Sequence, residues 1–407
     1  MLVTPDISAS FTEALPAEGV ELLIVQPSSF CNIDCDYCYL PERASHNRMS
    51  IPVFKQAVER LIAADLIGDR LSIVWHAGEP LAVPLSFYEE AFETLASLPI
   101  EPEKIRHSMQ SNGMLINDRW CSFIAANNIR LGLSIDGPAF IHDAHRKTRG
   151  GKGTHALVMK NVELLRKRGI EFHVIAVITE QSLGFADEVF EFFVDHDIRH
   201  VGFNIEELEG TNRTSSLTND STHEGVVAFF RRIYELQKNS NGAIQIREFD
   251  RAYQAVALAP LDDNQDTAMG NDQVEPFAII SIAYDGSLST FSPELLGMKS
   301  AEYGDFCFGK VQDDRINEIF SDSKFQRVLK DIKAGVSLCA RDCEYFSFCG
   351  GGAPSNKYYE NGSFVSTETM FCRYSIKTPI DIVLEDLESS LGINRQQTQK
   401  LHQSAWR

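Results

Sequence analysis

Six short, β-rich runs, each followed by a helical stretch, constrain this chain more than any other pattern in it. They are VELLIVQP at 20–27, LSIVWH at 71–76, IRHSMQSN at 105–112, RLGLSID at 130–136, EFHVIAVIT at 171–179 and HVGFNIE at 200–206. Several are continuously apolar, as strands buried on both faces require. A helix is expected from Ser50, an N-cap residue type, with Phe54, Val58, Leu61 and Ile62 on one face. Further helices are expected over 86–95, 118–127, 154–168, 184–196 and 222–238. Such alternation predicts βαβ units and a parallel sheet. An open partial barrel and a doubly wound sheet both satisfy it. In a barrel, chemistry gathers at the C-terminal ends of the strands. No repeat or low-complexity segment interrupts the pattern.

The loop after the first run reads SFCNIDCDYCYL and carries Cys31, Cys35 and Cys38. Three thiolates can hold three irons of a four-iron cubane that is normally held by four. The fourth iron then has an open position, as a catalytic zinc does. A zinc knuckle would need a fourth ligand nearby, and the nearest histidine is His46. A disulfide would leave one thiol over and does not suit a reducing compartment.

CxxxCxxC with an aromatic residue, Tyr37, before its last cysteine resembles the signature of radical S-adenosylmethionine (SAM) enzymes. The resemblance implies a [4Fe-4S] cluster whose open iron is chelated by SAM. Reductive cleavage of SAM then gives a 5′-deoxyadenosyl radical that removes a hydrogen atom from a strong C–H bond. The resemblance also favours, of the two sheet architectures, a partial (β/α)6 TIM-like barrel.

Other strand ends extend the resemblance. HAGEP after the second run resembles a GGEP motif whose backbone binds the SAM amino group, which implies cofactor contacts at Ala77, Gly78 and Glu79. Alanine lacks glycine's freedom for positive φ, so an ordinary backbone is expected at Ala77. Ser111-Asn112-Gly113 follows the third run as a turn former and falls among the candidate cofactor-binding positions. Ser134 and Arg146 match positions that hold the SAM carboxylate or ribose in related maturases, and arginine's planar fork suits a carboxylate. Asp136 is expected to structure its Asp-Gly turn, and His142 and His145 to be solvated. Asn204 and Glu206 are candidates to face the substrate.

Residues 339–372 read CARDCEYFSFCGGGAPSNKYYENGSFVSTETMFC, with Cys339, Cys343, Cys349 and Cys372 as candidate ligands. Four thiolates suit a closed iron–sulfur site or a structural zinc equally. The stretch resembles a SPASM domain, which implies auxiliary [4Fe-4S] clusters, commonly two. Here Ala353 replaces a cysteine of the inner cluster, and AYDGSLSTFSPELLG at 283–297 lacks another. One auxiliary cluster is therefore expected, with Cys121 and Cys307 as incidental thiols.

The full set of motifs resembles the cyclophane-forming maturases of Gly-rich ribosomal peptides. That implies a precursor-peptide substrate and a flavodoxin or ferredoxin electron donor. It also implies a link between an aromatic ring carbon and the β-carbon of a residue two positions later. Glu206, Asp285 and Glu294 are candidate general bases. A second expectation is an anaerobic sulfatase-type maturase that oxidises Ser or Cys to formylglycine. A third is a metal-binding scaffold that only docks a peptide. The expected divisions are an extension at 1–20, the barrel at 21–235, a linker at 236–275, the SPASM domain at 276–375, and a helix and tail at 376–407.

The net charge of −19 argues against broad nucleic-acid binding. No run of eighteen apolar residues is present, so no membrane span is expected. The N-terminus lacks a basic region before an apolar core, so a cytoplasmic location is expected, with the nine cysteines reduced.

Overall fold

The computed structural model describes residue 16, residues 19–258 and residues 270–392. Most of the expected extension and the end of the expected tail lie outside those residues. Six strands occupy the six β-rich runs: β1 (Leu22–Val25), β2 (Leu71–Trp75), β3 (Ile105–Ser111), β4 (Arg130–Ser134), β5 (Phe172–Ile178) and β6 (His200–Ile205). They pair in parallel and in chain order, for example Leu22 with Ser72 and Val174 with Val201. A doubly wound sheet reverses its strand order at a switch point; these six strands never do, which favours the partial barrel.

Helices α1 (Ile51–Ala63), α2 (Leu85–Ser97), α3 (Asp118–Ala126), α4 (His155–Lys167), α5 (Ala186–Asp195) and α6 (Asp220–Asn239) follow the successive strands. Right-handed crossovers in a constant direction place them on one side of the sheet. Their apolar stripes close the outer core. Phe54 of α1 and Tyr88 of α2 meet Trp75 at ring distances of 5.3 and 5.1 Å, and all three are fully buried. Each such side chain contributes on the order of 2–3 kcal/mol of burial.

Two features depart from the sequence expectation. The stretch expected as a linker contains β7 (Gln245–Ile246), parallel to β6, and helix α7 (Arg247–Leu258). Its buried residues include Glu248, Phe249, Ala252 and Ala255, so small and polar side chains share the packing with one aromatic ring. Residues 259–269 lie outside the described residues. Second, the run IISI at 279–282 forms β8, parallel to β1 with Leu22 opposite Ile279. β9 (Ser287–Thr290) and β10 (Gly309–Lys310) add antiparallel strands beyond it, completing a ten-stranded sheet. The start of the C-terminal region is therefore continuous with the barrel sheet. β1, which launches the cysteine loop, is held between two parallel neighbours. Among the described residues no helix is long and apolar enough to cross a membrane.

Candidate active site

The three-cysteine loop leaves the C-terminal end of β1 and is tied down at several points. Residues Ile33–Cys35 form a short antiparallel ribbon with Arg146–Thr148, placing Cys35 opposite Arg146. The Cys31 amide donates to the Arg43 carbonyl at 3.0 Å, and Arg149 Nε donates to the Cys31 carbonyl at 2.9 Å. Asn112 Nδ2 approaches Cys31 Sγ at 3.7 Å, and Arg146 approaches Cys35 Sγ at 4.0 Å. Cys31, Cys35 and Cys38 all face one cavity of about 230 Å³. Among the described residues no three His, Cys, Asp or Glu side chains close around a single ion. The thiols instead stand around open space, an arrangement suited to a cluster that binds each sulfur to a different iron. Burial pushes the Cys31 thiol up to about 11 and the Cys35 thiol up to about 12. Metal binding must therefore displace protons here. His46 stacks on Phe30 at 4.2 Å rather than turning to the thiols.

The turn after β2 corrects one expectation. Ala77 has φ +70° and Gly78 has φ +58°, so the alanine adopts the left-handed region after all. An αL alanine costs on the order of 1 kcal/mol and persists only where surroundings impose it. A close contact lies next door: a Cβ on Gly78 would stand 2.4 Å from the Phe30 carbonyl oxygen. The HAGEP backbone is thus pressed against the cysteine loop. Glu79 is buried beneath the turn, where its carboxylate accepts from Leu81 N, Ser111 Oγ and Asn112 N at 2.9, 2.8 and 2.7 Å. Burial pushes Glu79 up to about 7. Its side chain joins two strand ends, while Ala77 and Gly78 line the cavity. Ser111 and Asn112 serve the same junction, and Asn112 Nδ2 also donates to Asn32 Oδ1 at 2.8 Å.

Asp136 does more than shape its turn. It is 2% exposed and accepts from Tyr37 OH, from Arg146 Nε and NH2 at 2.9 Å each, and from Val177 N at 2.9 Å. Burial raises its carboxyl, but the Arg146 charge and these donors outweigh that and hold it below the usual range. The two-pronged face of Arg146 is therefore committed to Asp136. Only its remaining edge faces Cys35 and the cavity, so Arg146 is not a free carboxylate fork. The guanidinium also covers the Tyr37 ring at 5.4 Å. Ser134 accepts from Gln110 at 3.1 Å and lines the cavity. His142, expected in solvent, is fully buried. Its ring accepts from Asp136 N at 3.3 Å and meets Thr154 Oγ1 at 2.9 Å, and burial pushes it down to about 4. His145 is half-buried between Asp36 and Thr179.

The C-terminal cysteines converge although 33 positions of sequence separate the outermost pair. Cys339 and Cys343 close helix α8 (Ser323–Asp342), Cys349 ends the short helix Phe346–Cys349, and Cys372 begins a π-helical turn. Gly350, Gly351 and Gly352 have φ of +60°, +109° and +74°, which only glycine takes readily in succession. They wrap the chain around Cys349. All four cysteines line a cavity of about 390 Å³. Burial pushes Cys372 up to about 12 and raises Cys349.

A third cavity, about 600 Å³, lies between these two places and adjoins both. It shares Asn204, Glu207, Glu209 and Glu294 with the three-cysteine cavity, and Cys349, Gly352, Ala353 and Cys372 with the four-cysteine cavity. Of the candidate bases, Glu294 lies here, and burial pushes its carboxyl up to about 7. Glu206 faces the three-cysteine cavity, but its carboxylate is engaged by Ser216 N at 2.8 Å and by Ser216 Oγ. Asp285 lies elsewhere, in the β8–β9 hairpin turn with Ser287 N and Lys310. Sequence reading missed Glu207 and Glu209. Glu207 accepts from Asn356 at 2.8 Å and Glu209 from Ser355 at 2.6 Å, and burial raises each of them, Glu207 to about 8. Those partners lie 149 and 146 residues away, so no local signal marked them.

Residues 25–193 match the Radical SAM superfamily, across the stretch that builds the three-cysteine cavity. A protein named sll1766 from Synechocystis is 45% identical over 379 residues, covering 91% of this chain and 93% of that protein. The chain belongs to the radical SAM superfamily. A cysteine-type anaerobic sulfatase-maturating enzyme from Clostridium perfringens is 27% identical over 345 residues, covering 82% of this chain and 88% of the relative. In fold the chain resembles native anSMEcpe with bound AdoMet and Cp18Cys peptide: TM-score 0.72, 22% identity, 91% of this chain and 98% of that one. It also resembles Streptococcus suis SuiB bound to precursor peptide SuiA, with TM-score 0.63, 16% identity, 87% of this chain and 76% of that one. A SAM-dependent enzyme with iron–sulfur clusters, related to SPASM-type maturases, follows from these likenesses.

Proposed function

We propose that this radical SAM enzyme matures a ribosomal precursor peptide by joining an aromatic ring carbon to the β-carbon of a residue two positions later. Cys31, Cys35 and Cys38 would hold the SAM-binding cluster, and Cys339, Cys343, Cys349 and Cys372 the auxiliary one. Both thiol sets suit such groups, since each lines a single open cavity. When bound, the first cluster would supply the electron that cleaves SAM to methionine and an adenosyl radical able to take one hydrogen atom, and the auxiliary cluster an acceptor for the one electron released as the ring regains aromaticity, with a flavodoxin or ferredoxin as the source of reducing electrons.

The observation that carries this reading is the row of adjoining cavities, sharing lining residues, that runs from Cys31, Cys35 and Cys38 to Cys349 and Cys372. Its central part, about 600 Å³, is in the range of small-molecule sites and accommodates a few residues of peptide. It reaches Ala353, where a two-cluster SPASM domain carries a cysteine, so the space is left to substrate. Ala77, Gly78, Ser134 and the free edge of Arg146 face the SAM end. Glu79, Ser111, Asn112 and Tyr37 keep those groups in place. Holding the reacting carbon near the radical source supplies much of the rate, and enclosure excludes water and competing hydrogen donors. Glu294 takes the proton that leaves the ring, because a carboxyl poised at about 7 is matched to general-base work at neutral pH.

Formylglycine formation is the second reading, favoured by the 27% identity over 345 residues to the Clostridium perfringens enzyme. Tandem mass spectrometry decides between them. The chain is reduced anaerobically with SAM and a panel of Gly-rich peptides bearing three-residue windows led by an aromatic residue. Loss of two hydrogens confined to such a window supports cross-linking. Conversion of cysteine or serine to an aldehyde supports the second reading. If 5′-deoxyadenosine never forms in cluster-loaded protein, a peptide scaffold is left.

A further inference from the structure

Lys357 is 4% exposed, on the helix Pro354–Asn361 beside the four-cysteine cavity. Its ammonium donates to the Gly335 carbonyl at 2.9 Å and to Cys339 Sγ at 3.2 Å. A buried ammonium is costly unless a negative charge answers it. Of its two partners, only the sulfur can carry one.

The chain around it is shaped for this contact. Gly335 sits inside helix α8, where glycine weakens a helix relative to alanine. A Cβ there would stand 2.0 Å from the Phe364 carbonyl oxygen and 3.3 Å from Lys357 Nζ. The glycine thus lets a neighbouring segment and the ammonium close on the helix together.

We propose that Lys357 is a positioning residue of the auxiliary site, fixing the Cys339 sulfur and raising the reduction potential of the cluster held there. This rests on the auxiliary-cluster reading. The reduced cluster carries one more negative charge than the oxidised one, so a fixed cation in a dry site stabilises the reduced form more. Hydrogen bonds to the ligand sulfurs act in the same direction.

The test uses the full chain with Cys31, Cys35 and Cys38 changed to Ala, so that iron is held at the auxiliary site alone. Iron is counted, and the cluster is poised at graded potentials and read by electron paramagnetic resonance. Lys357→Met is expected to lower the ratio of reduced to oxidised cluster at fixed potential roughly tenfold, a shift of about 59 mV for one electron. Lys357→Arg is expected to retain most of the parent potential. Equal potentials in Lys357→Met and its parent, with four-iron clusters in each, overturn the lysine proposal and leave the cluster reading standing. Zinc or no metal in the parent overturns both. If Lys357→Met and Lys357→Gln lose the cluster while Lys357→Arg keeps it, the positive charge on the sulfur is what the site needs. Loss in all three overturns the proposal in favour of a shape requirement.

Discussion

Asp136 and Arg146 form a buried pair that also captures Tyr37 and Val177 N. Removing one partner of such a pair leaves an uncompensated charge, at a cost of about 3–5 kcal/mol. Asp136→Asn is therefore expected to lower unfolding free energy by that amount in chemical denaturation, and a loss below about 1 kcal/mol would contradict the geometry. Glu294 makes a different prediction. Burial holds its proton to about 7, whereas an ordinary glutamate releases it near 4.5. The base form thus appears as the pH rises through about 7, so cross-linking by the wild type should rise across the same interval. Glu294→Gln should lose that rise and roughly 10²–10⁴-fold of product formation, while 5′-deoxyadenosine still forms. The stability term has the opposite sign: the contribution of this group is complete below 4.5 and lost as the pH rises through about 7. Calorimetry of wild type and Glu294→Gln between these values checks it. Glu294 stood among three candidate bases in the sequence, whereas the role of Asp136 was not legible there. Asp136 reads as a turn former because its partners, at positions 37, 146 and 177, follow no helical or strand period.

The elements were largely legible where packing demands apolar patterning. β1 to β6 and α1 to α6 fall on the expected segments, marked by near-continuous apolar residues in β1 and by alternation of buried and partly buried positions in β2 and β5. Helix α7 was not legible, since its buried residues include Glu248 beside Phe249, Ala252 and Ala255, and small and polar side chains share its packing with one aromatic ring. The turn after β2 was legible as a motif but not as a conformation. Ala77 takes a positive φ beside Gly78, where the Phe30 carbonyl approaches too closely for any side chain, and that packing is a tertiary fact. Ala77→Gly should accordingly raise stability slightly or leave it unchanged, within about 1 kcal/mol, by denaturant titration. Gly78→Ala should displace the cysteine loop, read as loss of iron from the three-cysteine site. A Gly78→Ala chain that loads iron normally would contradict the close packing.

At the scale of the whole molecule, the two cysteine sets were legible from spacing, but the cavity between them was not. It is assembled from strand ends, α7, the β9 region and the C-terminal turn, segments far apart in sequence. Two four-iron clusters predict about eight irons per chain. Changing Cys31, Cys35 and Cys38 to Ala should leave about half, as should changing Cys339, Cys343, Cys349 and Cys372 to Ala. The thiols at Cys31 and Cys35 are pushed up to about 11 and 12 without metal, so loading releases protons and should weaken as the pH falls.

The central claim is that a peptide β-hydrogen crosses to the adenosyl radical inside these adjoining cavities. A precursor deuterated only at the β-carbon two positions after the aromatic residue tests this directly, with 5′-deoxyadenosine weighed after one turnover. Deuterium in 5′-deoxyadenosine, with a product lighter by one deuterium and one ring hydrogen, is the predicted result. Cross-linked product accompanied by unlabelled 5′-deoxyadenosine, or label transfer ending in an aldehyde, would contradict it.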